Sequence, residues 1–590
     1  MAHPTVAVYI RAEEVLSMAT VQRMVRVCSM DELERERMRV TTAGGHAVLL
    51  VLDEGRVFAL DNRCPHMGFP LRRGTVSDGI LTCHWHHAKF DLASGCTFDL
   101  FADDATAFHV EVRNGDVWLD PRPNRPGRRE HWLERQEVGL EQDISLVLAK
   151  SAIALGELDA TREALTAAAL FGLRNRRAGW SQGLTILTAL ATVMPVLDLA
   201  DRPLALFHGL RHVASSTAGQ PPEFELKPLT TGESRPERFR EWFRYFVEVR
   251  QADAAERTLV TAIERLEPAA VADLVFAACT DHLYLDTGHT LDFANKAFEL
   301  LDLVGWEHAR QVLPALVPAL VRSQRMEETS TWRHPVDVAA LVRDAAIELE
   351  GARAGREDRV GWDGHAGLAE AVLEADPAEM LAELVRLAGE GVALTELSAA
   401  VAYAAVLRAV HFPTSNEFAD WETVLHGFTY ASAVDQALRR SPSALLARGV
   451  LDAAMAVSLE RFLNVPRRSM PEASGRPAAP ADLLALFDEQ GRVDEAGQRI
   501  VDALAGGDGE TVVRALGHGL LREDGQFHHF QMYEAGVRQW KRFRGRPEAA
   551  GVLVGTARYL VAHAPTVRAT GQTYDIAARL HRGESPHELA

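Results

Sequence analysis

The arrangement of apolar and polar residues along the chain changes near residue 130. In the first part, short runs of alternating apolar and polar residues are separated by turn signals, which is typical of β-strands. Residues 48–60 and 109–119 each have such a signal at their centre, at 53–55 and 114–115, and therefore predict two β-hairpins. After the change, apolar residues recur at helical spacing. The pattern predicts a multidomain chain with a small antiparallel all-β N-terminal domain and a large all-α domain.

These patterns divide the chain into four segments. We expect an N-terminal arm at 1–20, which is either disordered or an artefact of the choice of start residue. A β domain at 21–122 and a linker at 123–132 follow, and an all-α domain fills 133–590. The linker is predicted because proline and arginine are frequent around it, and proline-rich chain is stiff and extended.

Composition narrows the function classes. A net charge of −19 argues against nucleic acid or an anionic membrane as a partner, and it suits docking to a basic electron-transfer protein. Only five cysteines are present, so we expect free thiols and a reducing, cytoplasmic compartment. The apolar run at 183–200 is interrupted by Pro195 and Asp198, and it predicts a buried core helix instead of a membrane span.

Two short loops each contain one cysteine and one histidine. Cys64-x-His66 is followed, after sixteen residues, by Cys83-x-x-His86. Two thiolates can hold one iron of a [2Fe–2S] cluster and two imidazoles the other, and neutral imidazoles raise the cluster's potential. Zinc is the alternative for two cysteines and two histidines. Zinc fingers, however, pair the cysteines together and the histidines together, which this spacing does not do.

With these loops, residues 21–120 resemble the Rieske ferredoxin family. The resemblance places the family's cluster ligands on Cys64, His66, Cys83 and His86. Some members from respiratory complexes add a paired cysteine in each loop. The corresponding positions here hold Phe69 and Trp85, which implies the lower-potential type found in ferredoxins and aromatic-ring oxygenases. His87 departs from the family, which usually has glycine there. We expect this histidine to be exposed, and the alternatives are that it crowds the cluster or acts in proton-coupled electron transfer.

Four segments of the helical part share a pattern of helix, polar turn, histidine and second helix, which predicts helical hairpins. They lie at 206–214, 286–294, 424–432 and 525–535. The sequences HisGlyLeuArgHis at 208–212 and HisGlyPheThrTyrAlaSerAlaVal at 426–434 resemble the questin-oxidase-like family of aromatic polyketide oxidation. The resemblance implies a helical oxidase domain of secondary metabolism.

The histidines of this part are candidate metal ligands. His208 and His212 are four residues apart and share a helical face, a spacing that lets two imidazoles bind one metal. If the hairpins pack around a common centre, six further histidines can join this pair: His282, His289, His411, His426, His528 and His529. The first four of these are predicted as further metal ligands. The nearest carboxylates in the sequence are Asp281, Asp286, Glu417 and Glu534.

A histidine–carboxylate set with open positions suits non-haem iron and O₂ activation. The predicted catalytic residues are His208, His289 and His426. A haem in the helical domain is an alternative, and for each histidine a helix-capping or surface role is the other interpretation. The Asp-x-x-His-x₄-His pattern of the usual Rieske oxygenase partner domain has no convincing copy in the chain.

The leading hypothesis is a Rieske-dependent monooxygenase that oxidises an apolar or aromatic small molecule with O₂. Electrons would come from a separate flavin reductase or ferredoxin, since no Gly-x-Gly-x-x-Gly loop follows a strand. The alternative is an electron carrier whose helical domain is a docking scaffold for a separate oxygenase. A third hypothesis uses the histidines as general bases on a phenolic substrate, without a second metal. A homo-oligomer is compatible with all three.

Overall fold

The computed structural model describes residues 24–584, apart from 125–127, 177, 360, 418, 477, 480 and 508. The predicted arm at 1–20 lies outside the described residues. The chain forms two compact units. The first contains the described residues up to Ala160 together with those from Thr573 onward, and the second is Thr161–Gln572.

The N-terminal part of the first unit is an antiparallel β domain, as predicted. Its strands are β1 (Val25–Ser29), β2 (Met38–Ala43), β3 (His46–Asp53), β4 (Arg56–Asp61), β5 (Thr75–Ser77), β6 (Ile80–Thr82), β7 (Lys89–Asp91), β8 (Ala107–Arg113) and β9 (Asp116–Asn124), with helix α1 (Met30–Glu36) after β1. One sheet has the order β1-β9-β8-β4-β3-β2, and a smaller sheet has the order β5-β6-β7.

Both predicted hairpins are present. The β3–β4 turn is Glu54-Gly55, with φ of +47° and +75°, and the β8–β9 turn is Asn114-Gly115, with φ of +50° and +80°. Two consecutive positive φ angles form a turn whose twist matches that of the flanking strands. These hairpins build the large sheet. The small sheet separates the two predicted ligand loops, one before β5 and the other between β6 and β7.

The structure divides the chain later than the predicted linker at 123–132 and the predicted boundary at 133. Helix α2 (Arg128–Glu141) already begins inside the predicted linker, and α3 (Ser145–Glu157) follows within the first unit. The physical reason is a buried ion pair. Arg135 of α2 and Lys150 of α3 reach the carboxylate of Asp103 in the β part, at 3.3 and 2.9 Å. Helical periodicity gives no sign of this attachment.

The regular elements of the second unit, among its described residues, are helices joined by loops. Its helices are α4 (Thr161–Arg174), α5 (Gln182–Val193), α6 (Arg202–Thr217), α7 (Pro236–Glu248), α8 (Ala252–Arg265), α9 (Pro268–Cys279), α10 (His289–Val304), α11 (Ala309–Val312), α12 (Val317–Arg322), α13 (Ser330–Arg333), α14 (Val338–Arg353), α15 (His365–Glu374), α16 (Pro377–Gly389), α17 (Leu394–Val410), α18 (Asp420–Arg440), α19 (Ala444–Leu459), α20 (Ala481–Leu486), α21 (Val493–Gly506), α22 (Gly509–Leu521), α23 (Phe527–Arg542), α24 (Glu548–Ala562) and α25 (Ala569–His581), the last of which continues into the first unit.

Consecutive helices pack together in several places, such as α5 with α6 and α17 with α18. Two of the four predicted hairpin segments are wrong, however, because 206–214 lies inside α6 and 424–432 inside α18, without a turn at the histidine. Helix α5 is buried along most of its length, so the apolar run at 183–200 begins as the predicted core helix. None of the described helices combines the length and the apolar content that crossing a membrane requires. All five cysteines are free thiols.

Candidate metal centres

The two ligand loops of the first unit have the same backbone conformation. The N–H groups of Cys64 and Cys83 each donate to the carbonyl five residues ahead, at 2.8 Å in both loops. Their carbonyls accept from the N–H four residues ahead, Gly68 at 2.7 Å and His87 at 3.0 Å. Gly68 and His87 have φ of +77° and +63°, in the left-handed region that favours glycine. Both loops are therefore tight turns that present a cysteine.

These turns bring the four predicted cluster ligands together. The ring centroids of His66 and His86 are 4.7 Å apart, edge to face. The Cys64 and Cys83 side chains are buried and hydrogen-bonded to each other, which raises the pKa of the Cys64 thiol and lowers that of Cys83 to about 6. The backbone N–H groups of the residues two and three positions after each cysteine also donate toward sulfur or lie close to it.

The donor set fits a [2Fe–2S] cluster. His66 Nδ1 is buried and has no hydrogen-bond partner among the described residues, which is the state of a nitrogen whose partner is a metal. Burial lowers the pKa of His66 to about 4, so the ring is the neutral donor that such ligation needs. His86 is exposed, and its ring packs against that of Trp85, with the ring centroids 4.1 Å apart.

The buried ammonium group of Lys150 hydrogen-bonds the backbone of the first ligand loop. Lys150 Nζ donates to the carbonyl of Pro65 and, at 3.4 Å, to that of His66, while it pairs with Asp103 at 2.9 Å. Burial acts to raise the pKa of Asp103, but Lys150 and Arg135 lower it overall, so the carboxylate is ionised. Helix α3 thus fixes the loop that carries the first cysteine and histidine ligands.

The second unit contains a group of three histidines, His289, His426 and His528, which we call the tri-histidine group. Each offers a ring nitrogen, and these atoms lie within 4.8 Å of one another. His426 Nε2 and His528 Nε2 are 3.1 Å apart, and the rings of His289 and His528 stack at 5.8 Å. The group is the one set of this kind in the described part of the chain outside the first unit.

The tri-histidine group is electrostatically suited to bind a cation. Burial, with a smaller contribution from the neighbouring histidines, lowers the pKa of His289 to about 4 and that of His426 to about 3. Burial also lowers the pKa of His528, against the opposing effect of Glu422, whose carboxylate lies 3.6 Å from His528 Nδ1. At neutral pH the three rings are therefore uncharged and offer lone pairs.

Helix α10 begins at His289 after an unusual backbone segment. Asp286, Thr287 and Gly288 have φ of +49°, +55° and +89°. A Cβ on Gly288 would lie 2.6 Å from Cβ of Tyr430, so only glycine fits this close approach. Tyr430 is one helical turn after His426 on α18, and its hydroxyl donates to the buried Asp452 at 2.5 Å. The packing that forces this segment also sets the position of His289 relative to His426.

The structure does not bring the other four predicted ligands of the helical part to this group. His208 and His212 hydrogen-bond the carbonyls of Leu521 and Gly525, at 3.0 and 3.1 Å. These carbonyls precede α23, so the two histidines position the helix that carries His528. The correction has a physical reason: both side chains face the α22–α23 connection instead of the α10–α18 contact.

His282 and His411 are also placed elsewhere. His282 lies between Glu327 and Glu248, at 2.7 and 2.6 Å, and these carboxylates raise its pKa. His411 bonds the carbonyl of Arg468 at 2.7 Å. The carboxylates named from the sequence are absent from the group as well, since Asp281 pairs with Arg244 and Glu534 with Lys296.

Sequence reasoning named His289 and His426 as ligands, but it mentioned His528 only as a residue that could join. The available signal was the histidine pair in the first turn of α23, since His289 likewise stands at the start of α10. His529, the second member of that pair, instead packs against His563 at 4.9 Å between ring centroids.

Comparison with known proteins identifies the N-terminal β domain. A model of the Rieske [2Fe-2S] domain matches residues 23–106. Apoptosis-inducing factor 3 of Homo sapiens is 37% identical over 94 residues, which are 16% of each chain. The ferredoxin component of an alkene monooxygenase system from Xanthobacter autotrophicus is 35% identical over 100 residues, 17% of this chain and 82% of that protein. A vanillate O-demethylase oxygenase subunit from a Pseudomonas species is 31% identical over 103 residues, 16% of this chain and 28% of that subunit.

Proposed function

We propose that this chain, which belongs to the Rieske [2Fe-2S] family through residues 23–106, is an oxidoreductase that delivers electrons from its cluster to an O₂-activating iron site in the helical unit. The observation that carries the proposal is the tri-histidine group. Three neutral imidazoles within 4.8 Å, in a chain that also contains a one-electron carrier, are a donor set for non-haem iron with open positions.

Cys64, Cys83, His66 and His86 would hold the [2Fe–2S] cluster, and His289, His426 and His528 would hold the iron. When bound, the cluster supplies one-electron transfer and the iron supplies a site that binds and activates O₂. The protein's own contribution is to keep three imidazoles unprotonated, so that the metal does not compete with protons for them.

The surroundings of the tri-histidine group favour an apolar or aromatic substrate. The ring of Phe293 stacks on His289 at 5.5 Å, and Phe527 packs against the same ring at 5.4 Å. Phe527 is buried and Phe293 half-buried, so the two rings keep water from one side of His289. A flat apolar molecule gains contact with such rings and loses little hydration.

The balanced reaction is that of a monooxygenase. R–H and O₂, with two electrons and two protons, give R–OH and water. The electrons would arrive one at a time through the cluster, from an external flavin reductase or ferredoxin. His86 and Trp85 are both exposed, Trp85 to 40%, and they form a surface that suits docking of that donor. The free cysteines agree with the proposed cytoplasmic compartment.

Metal analysis tests the proposal. We expect about three irons per chain in the purified protein, and about one in the Cys64→Ser/Cys83→Ser double variant, which lacks the cluster. His426→Ala should lose the third iron and keep the cluster's visible absorption. His282→Asn is the matched control, because it removes a half-buried histidine of the same unit that lies outside the group, and it should keep all the iron.

An iron content of about two in the wild-type chain, unchanged by His426→Ala, would leave only cluster iron and overturn the proposal. The helical unit would then be the docking scaffold of a Rieske electron carrier. In that case the chain, with a reductase and O₂, would form no product until a separate oxygenase was added.

A further inference from the structure

Helices α10 and α23 are joined by a line of buried and half-buried polar side chains that begins at the tri-histidine group. Successive partners are three or four residues apart on both helices, so each step is about one helical turn. The pairs, in order, are His289 with His528, Asp292 with Gln531, Lys296 with Glu534, and Glu299 with Arg538. We call this line the polar seam.

Three of the four pairs of the polar seam are joined by a direct hydrogen bond or ion pair. Gln531 Nε2 donates to Asp292, and Lys296 Nζ lies 2.8 Å from Glu534 and 2.9 Å from Glu299. Arg538 contacts Glu299 at 2.8 Å and also pairs with Glu534. Asp292, Lys296 and Glu534 have exposed fractions of 4%, 1% and 2%.

Stability does not explain such a line. Burying charges costs hydration that ion pairing only roughly offsets, and apolar residues of similar size would pack as well or better. The polar seam runs from the tri-histidine group to the protein surface. At one end Asp292 and Gln531 are one helical turn from His289 and His528. At the other end Glu299 and Arg538 line an open surface cavity of about 670 Å³, together with Asn295 and Arg440.

We propose that the polar seam is a proton path from the surface cavity to the tri-histidine site. The inference rests on the proposed function, in which each oxygenation consumes two protons with two electrons. A proton leaves the carboxyl group of Asp292 toward the site. The resulting carboxylate is reprotonated from the Lys296–Glu534–Glu299 cluster, which in turn takes a proton from water in the cavity. No net charge stays in the seam.

The titration of Asp292 is compatible with this role. Burial raises the pKa of Asp292 to about 7, against the opposing effect of Lys296 and with support from Glu534 and Glu299. A carboxyl group with that pKa both donates and accepts protons near neutral pH. Gln531 Oε1 is buried without a partner among the described residues, which leaves an acceptor beside Asp292.

The test compares Asp292→Asn with Asp435→Asn. Asp435 is a buried carboxyl group of the same unit that bonds Ser398 and Gln539 and lies outside the seam, so it is a matched control. With iron loaded and the cluster reduced, we expect Asp292→Asn to slow reoxidation by O₂ at least about tenfold, with a larger solvent isotope effect and more hydrogen peroxide. Asp435→Asn should reoxidise at the wild-type rate, and formate should partly rescue Asp292→Asn.

A second readout needs no metal. In the iron-free full chain, one infrared carbonyl band of a protonated carboxyl group should titrate near neutral pH, disappear in Asp292→Asn and persist in Asp435→Asn. Burial also raises the pKa of Asp452 to about 7 and that of Glu460 to about 8, so their bands should remain in both variants. If Asp292→Asn does not fold, Gln531→Met tests the same step by removing only the partner of the carboxyl group. If an iron-loaded seam variant is reoxidised at the wild-type rate, with the wild-type isotope effect, the proton path is wrong. The iron content of that variant would still support the proposed function. Absence of the third iron from the wild-type chain would overturn the function itself.

Discussion

Gly68 and His87 occupy the same position in the two ligand loops. Each lies four residues after a ligand cysteine and donates its N–H to that cysteine's carbonyl, and the φ angles are +77° and +63°. A side chain in this left-handed region costs roughly 1 kcal/mol relative to glycine. The second loop thus bears a small strain that the first loop avoids.

His87→Gly should therefore keep the cluster and stabilise the loop by roughly 1 kcal/mol. Thermal loss of the cluster's visible circular dichroism would measure the change. Gly68→Ala is the matched control, since it places a side chain at the equivalent position of the first loop and should lower the same transition. Loss of the cluster in His87→Gly would reassign the second histidine ligand from His86 to His87.

The sequence predicted the features that depend on neighbouring residues. The two hairpins follow from turn chemistry at Glu54-Gly55 and Asn114-Gly115, and the cluster ligands follow from spacing within two loops. The tri-histidine group was only half predicted, because His289, His426 and His528 are joined by packing of helices far apart in sequence. Periodicity shows which face of a helix is buried but not which helix covers it.

Buried charges were the other features that the sequence did not reveal. Lys150 lies in an apolar helix, where a lysine normally extends to solvent, and nothing in its neighbourhood indicates that it pairs with Asp103. Lys296 and Glu534 each have a partner on their own helix, but the sequence does not indicate that they also pair with each other between α10 and α23. The predicted domain boundary was misplaced for this reason, since the attachment of α2 and α3 depends on Asp103.

Lys150→Met should destabilise the first unit by roughly 3 kcal/mol, because it breaks a buried ion pair and removes the donor to the Pro65 and His66 carbonyls. It should also lower the cluster's reduction potential by an amount on the order of tens of millivolts, since a buried positive charge near the cluster favours the added electron. Spectroelectrochemical titration measures the potential.

Lys89→Met is the control, because it removes an exposed, water-screened cation of the same domain and should change the potential little. Equal potentials in both variants would contradict the buried-charge explanation.

His208→Gln should make the helical unit less sensitive to acid. Burial lowers the pKa of His208 to about 4 in the folded chain, whereas an unfolded histidine titrates near 6.5. The unfolded state therefore binds the extra proton first, and stability is lost as the pH falls from about 6.5 to about 4, by about 3 kcal/mol for this residue. Glutamine can still donate to the Leu521 carbonyl and does not titrate. Denaturant unfolding at several pH values gives the free energy of unfolding as a function of pH. Between about pH 4 and 6.5, the variant should take up about one proton fewer on unfolding than the wild-type chain, so this free energy should fall less steeply with acid. His334→Gln, an exposed change in the same unit, should leave the slope unaltered.

Gly288→Ala should displace His289 and weaken the tri-histidine site. The new Cβ would meet the Tyr430 side chain at 2.6 Å, and φ of +89° is unfavourable for alanine, so we expect a loss of roughly 2 kcal/mol in stability. Because the ligand atoms must converge on one ion, iron affinity should fall at least about tenfold. Isothermal titration of the iron-free chain with ferrous iron measures this affinity.

Gly367→Ala is the matched control, since a Cβ there has no neighbour within 4 Å and alanine favours its helix. Unchanged iron affinity in Gly288→Ala, with the expected loss of stability, would show that the backbone before α10 does not set the position of His289.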